Sequence, residues 1–174
     1  VYHTSDREYK KGERVVWLCH ALTANSNPMD WWPEMVGKGC CIDPEKDYVV
    51  CVNIFASPYG TTGPRSAFEA DGGKVSGFQS LKDETAKRET MKLFNYTEGF
   101  TPFDFPKITV RDMARLFPIV RKYIGIEKID LLVGSSIGGF QALEWAILEP
   151  EVIERAAFIA TAPRVTPWLG AWME

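Results

Sequence analysis

Between Lys128 and Ala146 the chain reads KIDLLVGSSIGGFQALEWA: an apolar run, a Gly-Ser-Ser-Ile-Gly-Gly turn, and a second apolar run that continues as a helix. A short strand without a polar face must be buried on both sides, as happens when helices cover both faces of a parallel sheet. Three more runs share this character: residues 14–20 (RVVWLCH), 47–55 (DYVVCVNIF) and 155–161 (RAAFIAT). Helical segments fall between them. The pattern therefore predicts an α/β domain with a mostly parallel sheet flanked by helices.

The helix before the third of these strands carries its own boundary signals. Thr109 and Asp112 form a T-x-x-D capping box, and Val110, Met113, Phe117, Val120 and Ile124 recur at steps of three and four along one face. Gly125 follows as the C-terminal cap, and Pro118, which removes a ladder hydrogen bond, predicts a kink. After the serine turn a helix is expected from Ile137 to Glu149, stopped by Pro150. Residues 66–99 break the rhythm. They are polar and highly charged, part of them (Ser80–Leu93) is compatible with a surface helix, and they hold too few apolar residues for a core of their own. They read as an excursion from one domain spanning residues 1–174.

A chain of 174 residues can bury a real core, and 45% hydrophobic with 25% charged residues is ordinary for a soluble globular protein. The net charge of -3 leaves no basic footprint for nucleic acid and no polybasic membrane patch. No run approaches the roughly 18 apolar residues that a membrane helix needs. Cys19 and Cys51 lie in apolar strand-like runs, and adjacent Cys40 and Cys41 lack metal-ligand spacing and a nearby histidine. Reduced structural thiols, a cytoplasmic location and no metal are expected.

The turn Gly134-Ser135-Ser136-Ile137-Gly138 matches G-x-S-x-G with Ser136 central. The bare pattern arises by chance in roughly one such chain in twenty, but here it sits between a strand and a helix, as the nucleophile turn requires. Glycines relieve the crowding around a strained central residue. The helix N-terminus beyond it favours developing negative charge. The plainer alternative is a glycine-rich connection in which the serine merely caps the helix. If Ser136 is a nucleophile, the N–H of Ile137 supplies one oxyanion donor, and a loop after an earlier strand supplies the other. Residues 19–26, CHALTANS, leave such a strand, with the Leu22 N–H as the candidate. The only histidines, His3 and His20, both precede the serine, against the chain order Ser, Asp or Glu, His. His20 is expected to shape its loop instead. The acid is unassignable, because Glu144, Glu149, Glu151 and Glu154 read as surface charges by position. The chain looks like the front half of an enzyme.

Several blocks together resemble the homoserine O-acetyltransferase family of the α/β-hydrolase superfamily. They are CHALTANS with DWWPEMVGKG, then IDPEKDYVVCVNIF, YGTTGP, FDFPKITVRDM, GSSIGGFQALEWA and PEVIERAAFIATAPRV. The resemblance spans nearly the whole chain except residues 66–99, a segment longer than the family's usual connection. It implies a partial α/β-hydrolase fold without the lid and the C-terminal strands. It also implies acetyl transfer from acetyl-CoA, as co-substrate, to the hydroxyl of L-homoserine through an acetyl-serine, with no bound cofactor, and a homodimer for the full-length protein. Ser136 fits the family nucleophile, and Leu22 and Ile137 fit its oxyanion amides. The family's aspartate, histidine and carboxylate-binding arginine have no counterpart here. Taken alone, YGTTGP and the Trp31–Trp32 pair read as a tight turn and as aromatic packing. A succinyl-CoA-using acyltransferase, a plain esterase or thioesterase, and a non-enzymatic binding module remain the alternatives.

Overall fold

The computed structural model describes residues 1–57, 59–61 and 105–173. Residues 66–99, with the expected Ser80–Leu93 helix, lie outside the described residues. The chain divides into two compact units, one of residues 1–54 and 109–174 and one of residues 55–108. In the second unit the described residues include a turn in which the Thr61 hydroxyl donates to the Ser57 carbonyl at 2.7 Å.

The first unit contains strands β1 (Tyr2–Thr4), β2 (Val15–Cys19), β3 (Tyr48–Val52), β4 (Leu131–Ser135) and β5 (Ala156–Ile159). Its helices are α1 (Pro28–Trp31), α2 (Val110–Ala114), α3 (Leu116–Ile124), α4 (Ile137–Leu148) and α5 (Pro167–Met173). The sheet order is β1-β3-β2-β4-β5. All pairings are parallel except the one at the edge, where β1 runs antiparallel to β3. The four strands read from the sequence are all present: β2, β3 and β5 are trimmed at both ends, and β4 starts three residues later than the run 128–134 and ends one residue beyond it, at Ser135. Strand β1, only three residues long, carries no run that would have announced it.

Alternation along β2 shows why an unbroken apolar strand is stable here. Val15, Trp17 and Cys19 point to one face, where they pack with Phe117, Ile129, Leu132, Ala142 and Trp145. Val16 and Leu18 point to the other, against Val36, Ile42, Val49, Cys51 and Val133, with Trp31 and Trp32 packed on that cluster. The Trp17 ring meets Trp145 edge-on with centroids 4.7 Å apart, and Phe117 completes the group at 5.2 Å from Trp145. Burying aromatics of this size supplies much of the favourable free energy of folding. Two-sided burial fails at β5, whose Phe158 is 43% exposed. Among the described residues β5 is the last strand, so its outer edge has no neighbour. The four cysteines are free thiols, and burial raises the Cys19 and Cys51 pKa values well above the ordinary range.

The capping box forms as expected: the Thr109 hydroxyl accepts the Asp112 N–H, and the Asp112 carboxylate accepts the Thr109 N–H. The expected kink becomes a break. Helix α2 ends at Ala114 and α3 begins at Leu116, with Arg115 shared as cap. A continuous helix would press the Pro118 ring into the Ala114 carbonyl; restarting it puts Pro118 in a first turn, where no N–H is needed. Gly125 closes α3 at φ 88°, donating to the Arg121 and Lys122 carbonyls.

Glu149 is not the surface charge its position suggests. It caps α4 half-buried, with Oε1 accepting from Arg121 Nη2 at 3.1 Å and Oε2 from Trp145 Nε1 at 2.9 Å. The Arg121 guanidinium is itself buried and donates to the Ile126 carbonyl at 2.7 Å, fastening the end of α3 to the end of α4. Burial pushes the Glu149 carboxyl pKa up, but the Trp145 and Arg121 hydrogen bonds outweigh it and hold the pKa below the usual range. A depressed carboxyl pKa means that the unfolded state takes up the proton first. The stabilisation is therefore full above the ordinary value of 4.5 and is lost as pH falls through the lowered folded value. Arg121→Ala is expected to lower unfolding free energy by about 2–4 kcal/mol at neutral pH, by stranding a half-buried carboxylate. Denaturant titrations at pH 7 and pH 3.5 check this, the deficit shrinking at the lower pH.

Candidate active site

Strand β4 leads straight into α4, and Ser136 stands at the joint with φ 54° and ψ -121°. A residue with a Cβ pays for that conformation in strain, so the surroundings must impose it. Three contacts do so. The Ser136 N–H donates to the Ile159 carbonyl at 3.0 Å, which ties the joint to the end of β5. An ideal Cβ on Gly134 would lie 2.7 Å from the Ala142 Cβ. One on Gly138 would fall onto the Cys19 carbonyl and 2.8 Å from the His20 oxygen. Only glycines let α4 start this close to β2 and β4.

Ser136 occupies the N-cap position, yet its side chain makes no capping hydrogen bond. It is exposed, and its hydroxyl has no partner among the described residues. A serine placed there to cap the helix would have accepted a hydrogen bond from a first-turn N–H with its side-chain oxygen. This one holds its hydroxyl toward solvent at a positive helix end, as a nucleophile needs.

The loop that carries Leu22 begins where Gly138 touches it. Residues 21–24 form a turn closed by the Ala24 N–H donating to the Ala21 carbonyl at 3.1 Å, with Leu22 exposed at its tip. Among the described residues neither the Leu22 nor the Ile137 N–H donates to an acceptor. The Ile137 amide is left over by geometry, as the first helical residue has no carbonyl behind it. The loop is braced further along: Trp31 Nε1 donates to the Asn25 carbonyl at 2.9 Å, and the Ser26 hydroxyl lies 2.8 Å from His3 Nδ1. The Trp31 and Trp32 rings stack with centroids 5.2 Å apart.

His20 shapes the loop, as the sequence suggests. It is 1% exposed, with Nδ1–H donating to the Ala21 carbonyl at 2.8 Å and Nε2 accepting the Ile54 N–H at 3.0 Å. The Asn53 side-chain Oδ1 also lies 2.9 Å from Nε2. Burial lowers the His20 pKa from 6.5, outweighing the Ala21 and Asn53 hydrogen bonds. The unfolded chain therefore binds a proton that the folded one resists, and the His20 contribution, full above pH 6.5, is lost as pH falls through the lowered value. His20→Gln is expected to cost about 1–3 kcal/mol at pH 8 and to flatten the fall in urea midpoint below pH 6.5. With His20 occupied and His3 at Ser26, no imidazole stands beside Ser136 among the described residues. No carboxylate hydrogen-bonds to Ser136 among the described residues, and Glu144 is paired with Arg111 at 2.7 Å and Glu149 with Arg121. A feature that the sequence reading missed is Thr161, whose side chain faces Gly139.

A strained serine between a parallel strand and a helix, with two unsatisfied amides nearby, marks a class of fold. Residues 14–174 match the family described as the alpha/beta hydrolase fold, and the chain belongs to that family. Within it, the chain is 35% identical over 158 residues to a homoserine O-acetyltransferase of Nostoc punctiforme, covering 91% of this chain and 37% of that protein. The crystal structure of homoserine O-acetyltransferase from Bacillus anthracis superposes with a TM-score of 0.69 at 25% identity, covering 95% of this chain and 42% of that one. The crystal structure of esterase E22 superposes at 0.70 with 24% identity, covering 98% of this chain and 44% of that one, a likeness of fold. The chain thus spans well under half the length of the relatives it matches. Among the described residues no helix is long and apolar enough to cross a membrane.

Proposed function

We propose that the protein to which this chain belongs is an acyltransferase that moves an acetyl group from acetyl-CoA to the hydroxyl of L-homoserine, as a step toward methionine in the cytoplasm. The observation that carries the reading is Ser136, strained, exposed and not spent on capping, in a chain about one-third identical to homoserine O-acetyltransferases. In the first half-reaction the Ser136 oxygen attacks the thioester carbonyl while its proton passes to a general base. The tetrahedral oxyanion is held by the Leu22 and Ile137 amides. The carbon–sulfur bond then breaks, the thiol leaves with a proton, and Ser136 carries the acetyl ester. In the second half-reaction the homoserine hydroxyl gives its proton to the same base, attacks the ester, and releases Ser136.

The base is supplied by the part of the longer protein that this chain does not include, since both histidines here are engaged elsewhere. Transfer outruns hydrolysis only where water is excluded from the acyl-serine. No metal or bound cofactor enters the scheme, and a homodimer is the proposed assembly. The test is a donor panel on the full-length protein, with acetyl-CoA or succinyl-CoA, L-homoserine, and product mass as readout. O-Acetylhomoserine is expected with acetyl-CoA. O-Succinylhomoserine would reassign the donor, and ester hydrolysis without transfer from either donor would make the protein an esterase.

A further inference from the structure

Beyond the serine turn, the end of β5 grips the nucleophile joint from the other side. The Ile159 carbonyl accepts the Ser136 N–H at 3.0 Å. The chain then turns sharply at Ala160, which holds φ 47°, a conformation that a residue with a Cβ adopts only when held there. That turn brings Thr161 back onto the first turn of α4. An ideal Cβ on Gly139 would lie 2.6 Å from the Thr161 Cβ and 2.7 Å from its Oγ1. The Thr161 side chain therefore fills the notch left by the missing Cβ of Gly139. Its hydroxyl is buried without a hydrogen-bond partner among the described residues. The atom nearest to the notch is the Thr161 Cγ2, followed by its Cβ, so what meets the helix here is the branched shape of the side chain.

We propose that Thr161 is a positioning residue: seated in the Gly139 notch, its side chain sets the tilt of the first turn of α4 and so aims Ser136 and the Ile137 amide together. Residues 136 and 139 are held by residues 159 and 161, so the joint is pinned on both sides of the Ile137 N–H. A shift of the first turn swings hydroxyl and amide off a shared target, and a misplacement of about 1 Å can cost about a hundredfold in rate.

This inference rests on Ser136 being the nucleophile, and the experiment separates the two. The full-length protein is treated with p-nitrophenyl acetate, and the acetylation rate of Ser136 is followed by peptide mass. If wild-type protein is not acetylated at Ser136, the nucleophile assignment fails and this inference with it. If wild-type protein is acetylated, Gly139→Ala should slow the step about a hundredfold with little change in half-saturation. Gly139→Ala/Thr161→Gly, which vacates the notch, should recover at least about a tenth of the wild-type rate. Thr161→Val, alike in shape but without the hydroxyl, should stay near the wild-type rate, and Thr161→Gly alone should be slowed. A Gly139→Ala protein that folds and reacts at the wild-type rate overturns the proposal. So does a Thr161→Val protein as slow as Thr161→Gly, since the hydroxyl would then be the active feature. Should Gly139→Ala fail to fold, the Thr161 pair decides alone: equal rates for Val and Gly overturn it, and a slow Gly beside a fast Val supports it.

Discussion

Ser136→Ala in the full-length protein is expected to reduce acetyl transfer to homoserine by about 10⁴- to 10⁶-fold, with thermal stability unchanged. The size follows from the role: a nucleophile that forms a covalent intermediate has no substitute, and what remains is the catalysis that oxyanion donors and binding provide alone. Stability should hold because alanine keeps the Cβ, so the cost of φ 54° is the same before and after. The hydroxyl makes no hydrogen bond among the described residues that its loss would break. Ser136→Gly makes the complementary case. Removing the Cβ lets the backbone adopt this conformation freely, and stability should rise by about 1 kcal/mol while transfer is lost equally. A serine that only linked a strand to a helix would show the same gain in stability without the lost rate. Product assays and thermal melts on the three proteins check both, and transfer surviving in Ser136→Ala would remove the nucleophile from the scheme.

Much of this arrangement could be read from residue order. Strands with no polar face require a sheet covered on both sides, and β2 is such a strand, buried at all five positions. The Thr109–Asp112 box and Gly125 marked the ends of the helical stretch because capping is local chemistry, written within four residues. The serine turn was legible for the same reason. What stayed hidden depends on partners far apart in sequence. Arg121 sits on a helix with an apolar stripe and reads as a solvated cation until the fold brings Glu149 and the Ile126 carbonyl to it. Thr161 is one threonine among several, and only the returning turn at Ala160 makes it the filler of the Gly139 notch. The break at Arg115 was half visible. Proline forbids a straight helix, but whether the helix bends or restarts depends on packing, and Ala114 and Phe117 are both buried in the core around Trp17.

Gly138→Ala is expected to be the most damaging glycine-to-alanine change among the described residues, costing about 3 kcal/mol or more and at least about a hundredfold in transfer rate. The new Cβ would land on the Cys19 carbonyl, 2.6 Å from its carbon and 2.8 Å from the His20 oxygen. These are backbone atoms at the end of a strand paired on both sides, to β3 and to β4, so they cannot swing aside as a side chain would. The helix must move instead. Its first turn carries the Ile137 amide, and its other anchors, at Ile159 and Thr161, would have to stretch with it. The strand end that resists leads into the Leu22 loop, so the same methyl group pries apart the two proposed oxyanion donors. Gly125→Ala supplies the contrast. Its φ of 88° is unsuited to alanine, whereas Gly138 is helical, but nothing lies within 4 Å of the added carbon. Only backbone strain is then at stake, about 1 kcal/mol, with transfer untouched. If denaturant titration and product assay put the two variants on the same footing, close approach of α4 to β2 is not what holds the serine in place. A Gly138→Ala protein that has lost rate out of proportion to its stability would show that a methyl group's width at this crossing separates a working site from an idle one.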